Sequence, residues 1–484
     1  MDPERLAPGV LELHVVSGPD AGTIFRLPPG EHRIGRAAEA DLRLEDPDLS
    51  RLHAVVDVRS TTVSVTDLGS TNGCLVDGVR VVGTAPLSTS ATLRVGRSVL
   101  RLRLPAAAPA SARPDGFGHL LVNRRPRVPG RAEPATVTFP DPLTPPAGSR
   151  LPLLALIVPL ALSGTVAAVM RSPTMLLFGL MSPLLMLATW VSERRGGGGR
   201  RRRLEAEHAD ATEQARAALG VAILAERRER EQRDPDLATV LGIVEGVQSP
   251  LWQRRPDDPD SLVVRLGTAT LPAAVRVRGE QAGHHGTRLD AVPFALDLRA
   301  LGVVGVAGTR ARTLGVARAL IAALAAWHSP LDLRIVLLAD GRAHDTDWTW
   351  ATFLPHTEVS SDAAARWVAS LRERGPGISC QLTAAVAALA QLVREREQQR
   401  VAATPAGRRP DVVLVLDGSA ALRAVAQLSL VLERGPAVGI HVLALDDVPE
   451  RLPVEARCVV TVGGSSGALV RLPGQLEPVE VVPD

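Results

Sequence analysis

The stretch GVVGVAGTRARTLG, residues 302–315, decides how the C-terminal half of the chain is read. An apolar run ends at glycine, a short polar turn follows, and an Ala/Leu-rich helical pattern continues from 311 to 327. This is the signature of a strand feeding a helix. Comparable apolar runs recur at 333–338, 412–416, 440–445 and 458–462, with helical patterns around 363–372 and 384–399 between them. Continuous apolar strands alternating with helices predict a largely parallel sheet covered on both faces. The layout is that of an α/β P-loop-like domain over residues 236–484.

A working phosphate loop reads GxxxxGK[ST]: backbone N–H groups and a helix N-terminus hold the phosphates, Lys reaches the terminal oxygens and the hydroxyl holds magnesium. Counted from Gly308, the Gly, Lys and Ser/Thr positions hold Thr313, Leu314 and Gly315; counted from Gly305 they hold Arg310, Ala311 and Arg312. Neither frame works, and the chain has no lysine, so all 55 basic residues are arginine. The strand at 412–416 ends at Asp417 in the manner of a Walker B strand, but Gly418 follows where a second acid would activate water. Asp446 and Asp447 end the next strand, where unpaired carboxylates repel phosphates unless Arg310 and Arg312 offset them. The expectation is a degenerate, non-hydrolysing domain with no catalytic residue and no cofactor, in which Asp417 serves as a strand-end cap or turn residue.

Other chemistries find little support. Cys74, Cys380 and Cys458 are far apart with no CxxC or Cys/His spacing, which fits small core residues in a reducing compartment. The His284-His285-Gly286 turn and His344 beside Asp345 and Asp347 read as exposed loop polarity, so no metal site is expected. No GxSxG elbow is present. A net charge of only +3 and basic runs without interleaved aromatics argue against nucleic acid.

Two uncharged runs divide the chain: LPLLALIVPLALSGTVAAVM at 151–170 and TMLLFGLMSPLLMLATWV at 174–191, separated by Arg171, Ser172 and Pro173. Each is long enough to cross a bilayer as a helix, so a transmembrane hairpin is expected over 151–191. Arg124, Arg125, Arg127, Arg131 and Arg150 precede it, and Arg194, Arg195 and the block 200–203 follow it. The positive-inside rule then places both termini in the cytoplasm and the protein in the cell membrane. Residues 105–150 are Pro-, Ala- and Arg-rich and read as a linker. Residues 192–235 read as a glycine joint at 196–199, a basic collar and a helical stalk at 204–233.

Residues 10–104 show short alternating strands between turn clusters, predicting an all-β sandwich in domain 1–104. Three polar groups stand at strand ends or in turns: Gly35-Arg36, Ser50-Arg51-Leu52-His53 and Asp67-Leu68-Gly69-Ser70-Thr71-Asn72-Gly73. Two guanidiniums, hydroxyls and an amide make a donor-rich set without negative charge, suited to a phosphate dianion. The order GR, SRxH, SxNG resembles the forkhead-associated (FHA) domain. That resemblance implies that Arg36, Ser50, Arg51 and Thr71 grip a phosphothreonine, that Asn72 bonds the ligand backbone, and that His53, with Gly35 and Gly73, shapes the loops.

The segment LWQRRPDDPD at 251–260, followed by the strand at 262–266, is similar to the segment after the stalk in the membrane ATPases of type VII (ESX-like) secretion, the EccC/EssC family related to FtsK/SpoIIIE translocases. The implied whole is a multidomain membrane protein: an all-β FHA sandwich, two transmembrane helices, a helical stalk and a RecA/FtsK-type α/β domain. It implies a membrane-anchored scaffold partnered by a phosphothreonine protein, the lipid bilayer, secretion-channel subunits and FtsK-like ATPase domains. Homo-oligomerisation stays open. A stand-alone phosphothreonine adaptor and an active NTPase or DNA translocase with an atypical loop are the alternatives.

Overall fold

The computed structural model describes residues 11–59, 62–89, 91–104, 112–116, 120–124, 134–143, 158, 161–162, 164–165, 174–246, 250–279, 288–340, 345–357, 368–370, 380–401, 409–463, 467–475 and 477–484. The chain divides into two compact units. The first joins Met1–Arg131, Glu229–Leu271 and Leu289–Asp484; the second joins Ala132–Arg228 and Pro272–Arg288.

The N-terminal part of the first unit is a two-sheet sandwich. Its strands are β1 (Leu11–Ser17), β2 (Ile24–Leu27), β3 (Gly30–Gly35), β4 (Leu42–Arg43), β5 (Ala54–Val58), β6 (Val63–Asp67), β7 (Cys74–Val76), β8 (Val79–Arg80), β9 (Thr84–Pro86), β10 (Thr92–Val95) and β11 (Ser98–Arg103). One sheet has the order β2-β1-β11-β10-β7-β8, the other β4-β3-β5-β6-β9. Alternate residues such as Leu13, Val15, Leu93 and Leu100 from the first sheet meet Ile34, Val56 and Val65 from the second, all fully buried. This is the period-2 pattern that a sandwich requires.

The C-terminal part is built on one ten-stranded sheet. Its strands are β12 (Val263–Pro272), β13 (Arg288–Asp297), β14 (Val303–Gly308), β15 (Leu333–Ala339), β16 (Val368–Ser370), β17 (Asp411–Asp417), β18 (Ile440–Asp446), β19 (Cys458–Gly463), β20 (Gly467–Arg471) and β21 (Val479–Pro483). The order is β13-β12-β21-β20-β19-β14-β18-β17-β15-β16. From β19 to β16 neighbours are parallel, whereas β20, β21 and β12 extend the sheet antiparallel. The expected parallel core is present, with strand 302–307 shifted by one residue to Val303–Gly308.

Side-chain alternation explains why the parallel strands read as unbroken apolar runs. Val304, Val306, Val413, Val415, Leu443 and Leu445 pack on one face under α3 (Arg310–Trp327). Val303, Ala307, Leu414, Leu416, Val442 and Ala444 pack on the other, under α4 (Cys380–Val401) and α5 (Leu428–Arg434). Both faces are covered, so no polar alternation survives in the sequence. The helix expected around 363–372 is not upheld: Val368–Ser370 form edge strand β16, and 361–367 and 371–379 lie outside the described residues.

The membrane reading is corrected. Most of the first apolar run, together with Arg171, Ser172 and Pro173, lies outside the described residues. The second run does not form a separate span. It is the beginning of α1 (Thr174–Arg233), a 60-residue helix that passes without a break through Gly196–Gly199 and the arginine block. Among the described residues no helix is long and apolar enough to cross a membrane. The two-span hairpin and the two-span topology with both termini cytoplasmic are therefore not upheld. The glycine joint is likewise absent: consecutive helical hydrogen bonds carry the glycines along despite their low propensity.

In the second unit part of the expected linker is ordered. Thr136–Thr138 pairs in parallel with Arg276–Arg278, and Val137 and Phe139 pack on Ala215 of α1. His284, His285 and His344 lie outside the described residues.

Within the first unit the sandwich is seated on the C-terminal part rather than tethered to it. Arg103 of β11 donates to Asp236 and Thr239 at the start of α2 (Leu237–Glu245), and Arg101 donates to Glu231 at 2.9 Å. The Ser17 hydroxyl donates to the Pro483 carbonyl at 3.1 Å. At Gly22 (φ +98°) a Cβ would lie 2.5 Å from the Leu241 side chain, so the β1–β2 turn approaches α2 as closely as only glycine allows.

The 251–260 segment, featureless by physical reading alone, encloses a buried cation. Arg254 is 2% exposed. Its guanidinium donates to the carbonyls of Arg233 (2.6 Å) and Val263, lies 3.6 Å from both Asp234 and Asp260, and stacks 4.9 Å from the Trp327 ring centroid. One side chain thus ties the end of α1, the start of β12 and the end of α3. Replacing it by alanine removes the buried cation that Asp234 and Asp260 share, and we expect Arg254→Ala to cost about 3–5 kcal/mol. Arg254→Lys should recover little of this, because an ammonium cannot reproduce a planar fork; urea midpoints of the three proteins check both points.

His328, beside this cluster, accepts from the Leu262 N–H at Nε2 and is pushed down to about 4 by burial, with Arg254 and His356 adding to the effect. The folded state therefore takes up its proton less readily than the unfolded chain. The stability this histidine contributes is present above its ordinary value of about 6.5 and is lost as pH falls from there toward 4. Urea midpoints should fall through this window, and His328→Gln should flatten the slope.

Candidate functional site

The polar groups singled out in the sandwich converge at one end of it. Gly35, at the end of β3, lies so close to the neighbouring loop that a Cβ would sit 2.1 Å from the Arg51 carbonyl oxygen. The next two residues follow that loop: Arg36 N–H donates to the Ser50 carbonyl at 3.2 Å and Ala37 N–H to the Arg51 carbonyl at 3.1 Å. The backbone fixes where the exposed Arg36 side chain starts.

His53 is fully buried and its ring joins two of the loops. Its Nδ1 accepts from the Ser50 N–H at 3.2 Å, so the ring proton belongs on Nε2, which donates to the Gly73 carbonyl at 3.2 Å. Ser50 Oγ accepts from the Thr71 N–H at 3.1 Å, leaving its own proton to donate outward. The Asn72 amide donates to the Asp48 carbonyl at 2.8 Å, which orients a side chain expected to reach only toward ligand. Thr71, Asn72 and Arg51 are exposed, and Ser50 is half-buried.

Three carboxylates stand at this end, of which only Asp67 lies in a stretch singled out from the sequence. Asp67 accepts from the N–H groups of Ser70 (2.8 Å) and Cys74 (3.2 Å). Burial tends to raise its pKa, but these hydrogen bonds outweigh that and hold it below the ordinary carboxylate value. Asp46, fully buried, accepts from the N–H groups of Arg97 and Ser98 and from the Ser98 hydroxyl, bracing the loop that leads to Ser50. Glu39 stands 3.4 Å from Arg51, so the donor set does carry one negative neighbour. That pair is exposed on both sides and is easily exchanged for a better anion.

A second constellation lies at the C-terminal ends of the parallel strands. Arg310, the first residue of α3, reaches across the sheet and grips Asp417 with both arms of its fork, at 2.7 and 2.8 Å, while donating to Asp347 at 2.9 Å. The Trp348 indole donates to the same Asp417 oxygen at 2.7 Å. Asp417 is 1% exposed, so the cap-or-turn role expected for it is overturned: it is the anchor of an ion pair. The hydrogen bonds to Asp417 and Asp347 raise the pKa of Arg310 against a smaller opposing effect of burial.

The loop residues are spent structurally. At Gly308 a Cβ would lie 2.2 Å from the Val462 carbonyl oxygen. Thr313 turns its hydroxyl back onto the Arg310 carbonyl at 3.0 Å, Leu314 packs into the core, and Gly315 has open space around it. Asp446 accepts from the Ala420 N–H at 2.9 Å and Asp447 pairs with Arg451 at 2.6 Å, so neither uses Arg310. Removing the anchor leaves the Trp348 indole unmet and Arg310 with Asp347 as its remaining carboxylate. We expect Asp417→Ala to cost about 2 kcal/mol after solvent screening of the partly exposed Arg310, with a urea midpoint shift of the same size whether or not Mg-ATP is added.

The model of a family described as the inner membrane component of T3SS, cytoplasmic domain, matches residues 14–106. The ESX-3 secretion system protein EccC3 of Mycobacterium tuberculosis is 36% identical over 128 residues, covering 22% of this chain and 9% of that protein. The FHA domain-containing protein FhaB of Mycolicibacterium smegmatis is 37% identical over 92 residues, 19% of this chain and 59% of that one. Among solved structures, the FHA domain of CT664 from Chlamydia trachomatis is 29% identical with a TM-score of 0.19, covering 19% of this chain and 96% of that chain. The chain spans about a tenth of the length of the EccC relatives it matches. By sequence the chain is thus similar both to FHA domain-containing proteins and to EccC proteins of ESX secretion systems.

Proposed function

We propose that the chain is a non-hydrolysing component of a type VII secretion apparatus whose FHA domain receives a phosphothreonine-bearing protein. The observation that carries this reading is the convergence of Arg36, Ser50, Arg51 and Thr71 from three loops held together by one buried histidine and by backbone hydrogen bonds. Phosphate recognition needs charge-assisted donors already in place before the ligand arrives, since ordering them on binding consumes affinity. The secretion context rests on the similarity to EccC3, and the phosphoprotein context on the similarity to FhaB. The partners under this reading are a phosphothreonine protein and subunits of the secretion channel.

The non-hydrolysing part of the reading rests on Arg310. In a working phosphate loop, the carboxylate at the end of this strand helps hold magnesium, and a lysine reaches the terminal phosphates. Here a guanidinium from the loop neutralises that carboxylate directly, at hydrogen-bond distance. The residues present do not fit a hydrolytic nucleotide site, and the domain is read as a scaffold.

Calorimetry with a phosphothreonine peptide tests the receptor. Arg36→Ala should weaken binding by at least about 30-fold, the size of losing one desolvated charged contact of roughly 2 kcal/mol, while the unphosphorylated peptide should not bind either protein. Unchanged affinity in the variant sinks the FHA reading. Steady ATP turnover by the wild-type chain, abolished by Asp417→Ala, sinks the scaffold reading.

A further inference from the structure

The N-terminal edge of the parallel sheet, at the opposite ends of the strands from Asp417, holds a cleft of about 420 Å³ that neither function uses. It is lined by Arg299, Arg396, Arg400, Arg409, Asp411 and His441, together with the backbone turn that leads into β18. Four arginines face one carboxylate, so the cleft is strongly cationic.

Its donors exceed its acceptors. Arg396 is occupied with the carbonyls of Val438 (2.8 Å) and Pro410 (2.8 Å). Arg299 satisfies Asp411 at 2.8 Å and the Pro256 carbonyl at 2.8 Å. Arg400 makes one 3.2 Å contact, to the Ala437 carbonyl, and Arg409 stands exposed at the rim. At the wall sits His441, 1% exposed, with neither ring nitrogen hydrogen-bonded. A buried imidazole with two unmet nitrogens costs free energy that native proteins normally avoid. It is retained where something else meets one of them.

We infer that this cleft binds a phosphate-class anion, inorganic phosphate, pyrophosphate or a phosphomonoester, with Arg400 and Arg409 supplying charge and His441 an inner N–H. The volume lies within the range of small-molecule sites. The forked guanidiniums match tetrahedral oxyanions better than point charges do. A neutral imidazole donates one hydrogen bond without adding a further buried charge.

The test uses the full chain carrying Arg36→Ala, so that the FHA loops contribute nothing, titrated with inorganic pyrophosphate in a calorimeter. One binding site is expected. Adding Arg400→Glu and Arg409→Glu should weaken it by at least about 30-fold, and His441→Phe by about tenfold, the loss of one hydrogen bond of roughly 1.4 kcal/mol. The two arginines are exposed, so their replacement should leave the urea midpoint unchanged and report binding alone. Absence of binding on the Arg36→Ala background overturns the inference, as does binding that survives both arginine replacements. Binding of a polyglutamate peptide in place of pyrophosphate overturns it in favour of a protein partner.

Discussion

The C-terminal part depends on satisfying one buried charge. Arg254 has almost no contact with water, so every proton of its fork has to be answered from within the protein or the fold loses several kcal/mol. The answers come from distant positions: the carbonyl at the end of α1, two aspartates, the start of β12 and a tryptophan at the end of α3. Satisfying the charge therefore requires these elements to meet. Immediately after the end of α1, α2 presents the surface on which the FHA sandwich sits, so the loops that carry Arg36, Ser50 and Thr71 belong to the same compact unit as the sheet.

The chain contains no lysine, and its charge chemistry is guanidinium chemistry throughout. A lysine at the head of α3 would offer a point charge. Arg310 instead offers a planar fork that fits a carboxylate edge on, and it closes on Asp417 with both arms. What in a working phosphate loop is a gap for metal and nucleotide becomes an internal ion pair. The same preference recurs where Arg396 gathers backbone carbonyls and where Arg103 meets Asp236.

The two phosphate-type surfaces differ in how they manage their donors. In the FHA loops each internal group is already committed: His53 bridges two backbones, Ser50 holds Thr71, Asp67 holds the turn, and what remains points outward. In the cleft at the other edge of the sheet the committed arginines hold the walls, whereas an inner histidine is left unmet. The first pattern is the one the proposed peptide receptor requires, and the second the one the inferred anion cleft requires.

The sequence by itself determined the sandwich, the parallel core and the FHA loop residues, because these rest on local order: alternation of period two, unbroken apolar runs, and short motifs whose spacing sets their geometry. It also determined that the phosphate loop lacks its lysine. It misread the apolar run at 174–191 as a span in its own right, whereas one 60-residue helix carries this run on through the glycines and the arginine block. The partners of Asp417 and Arg254, and the burial of His441 without a hydrogen bond, were decided only in the tertiary structure. Arg310 stands 107 positions from Asp417, and no local pattern encodes which guanidinium a buried carboxylate will meet. That pairing is fixed by chain crossings of the sheet and by the free-energy cost of leaving a buried charge without a partner.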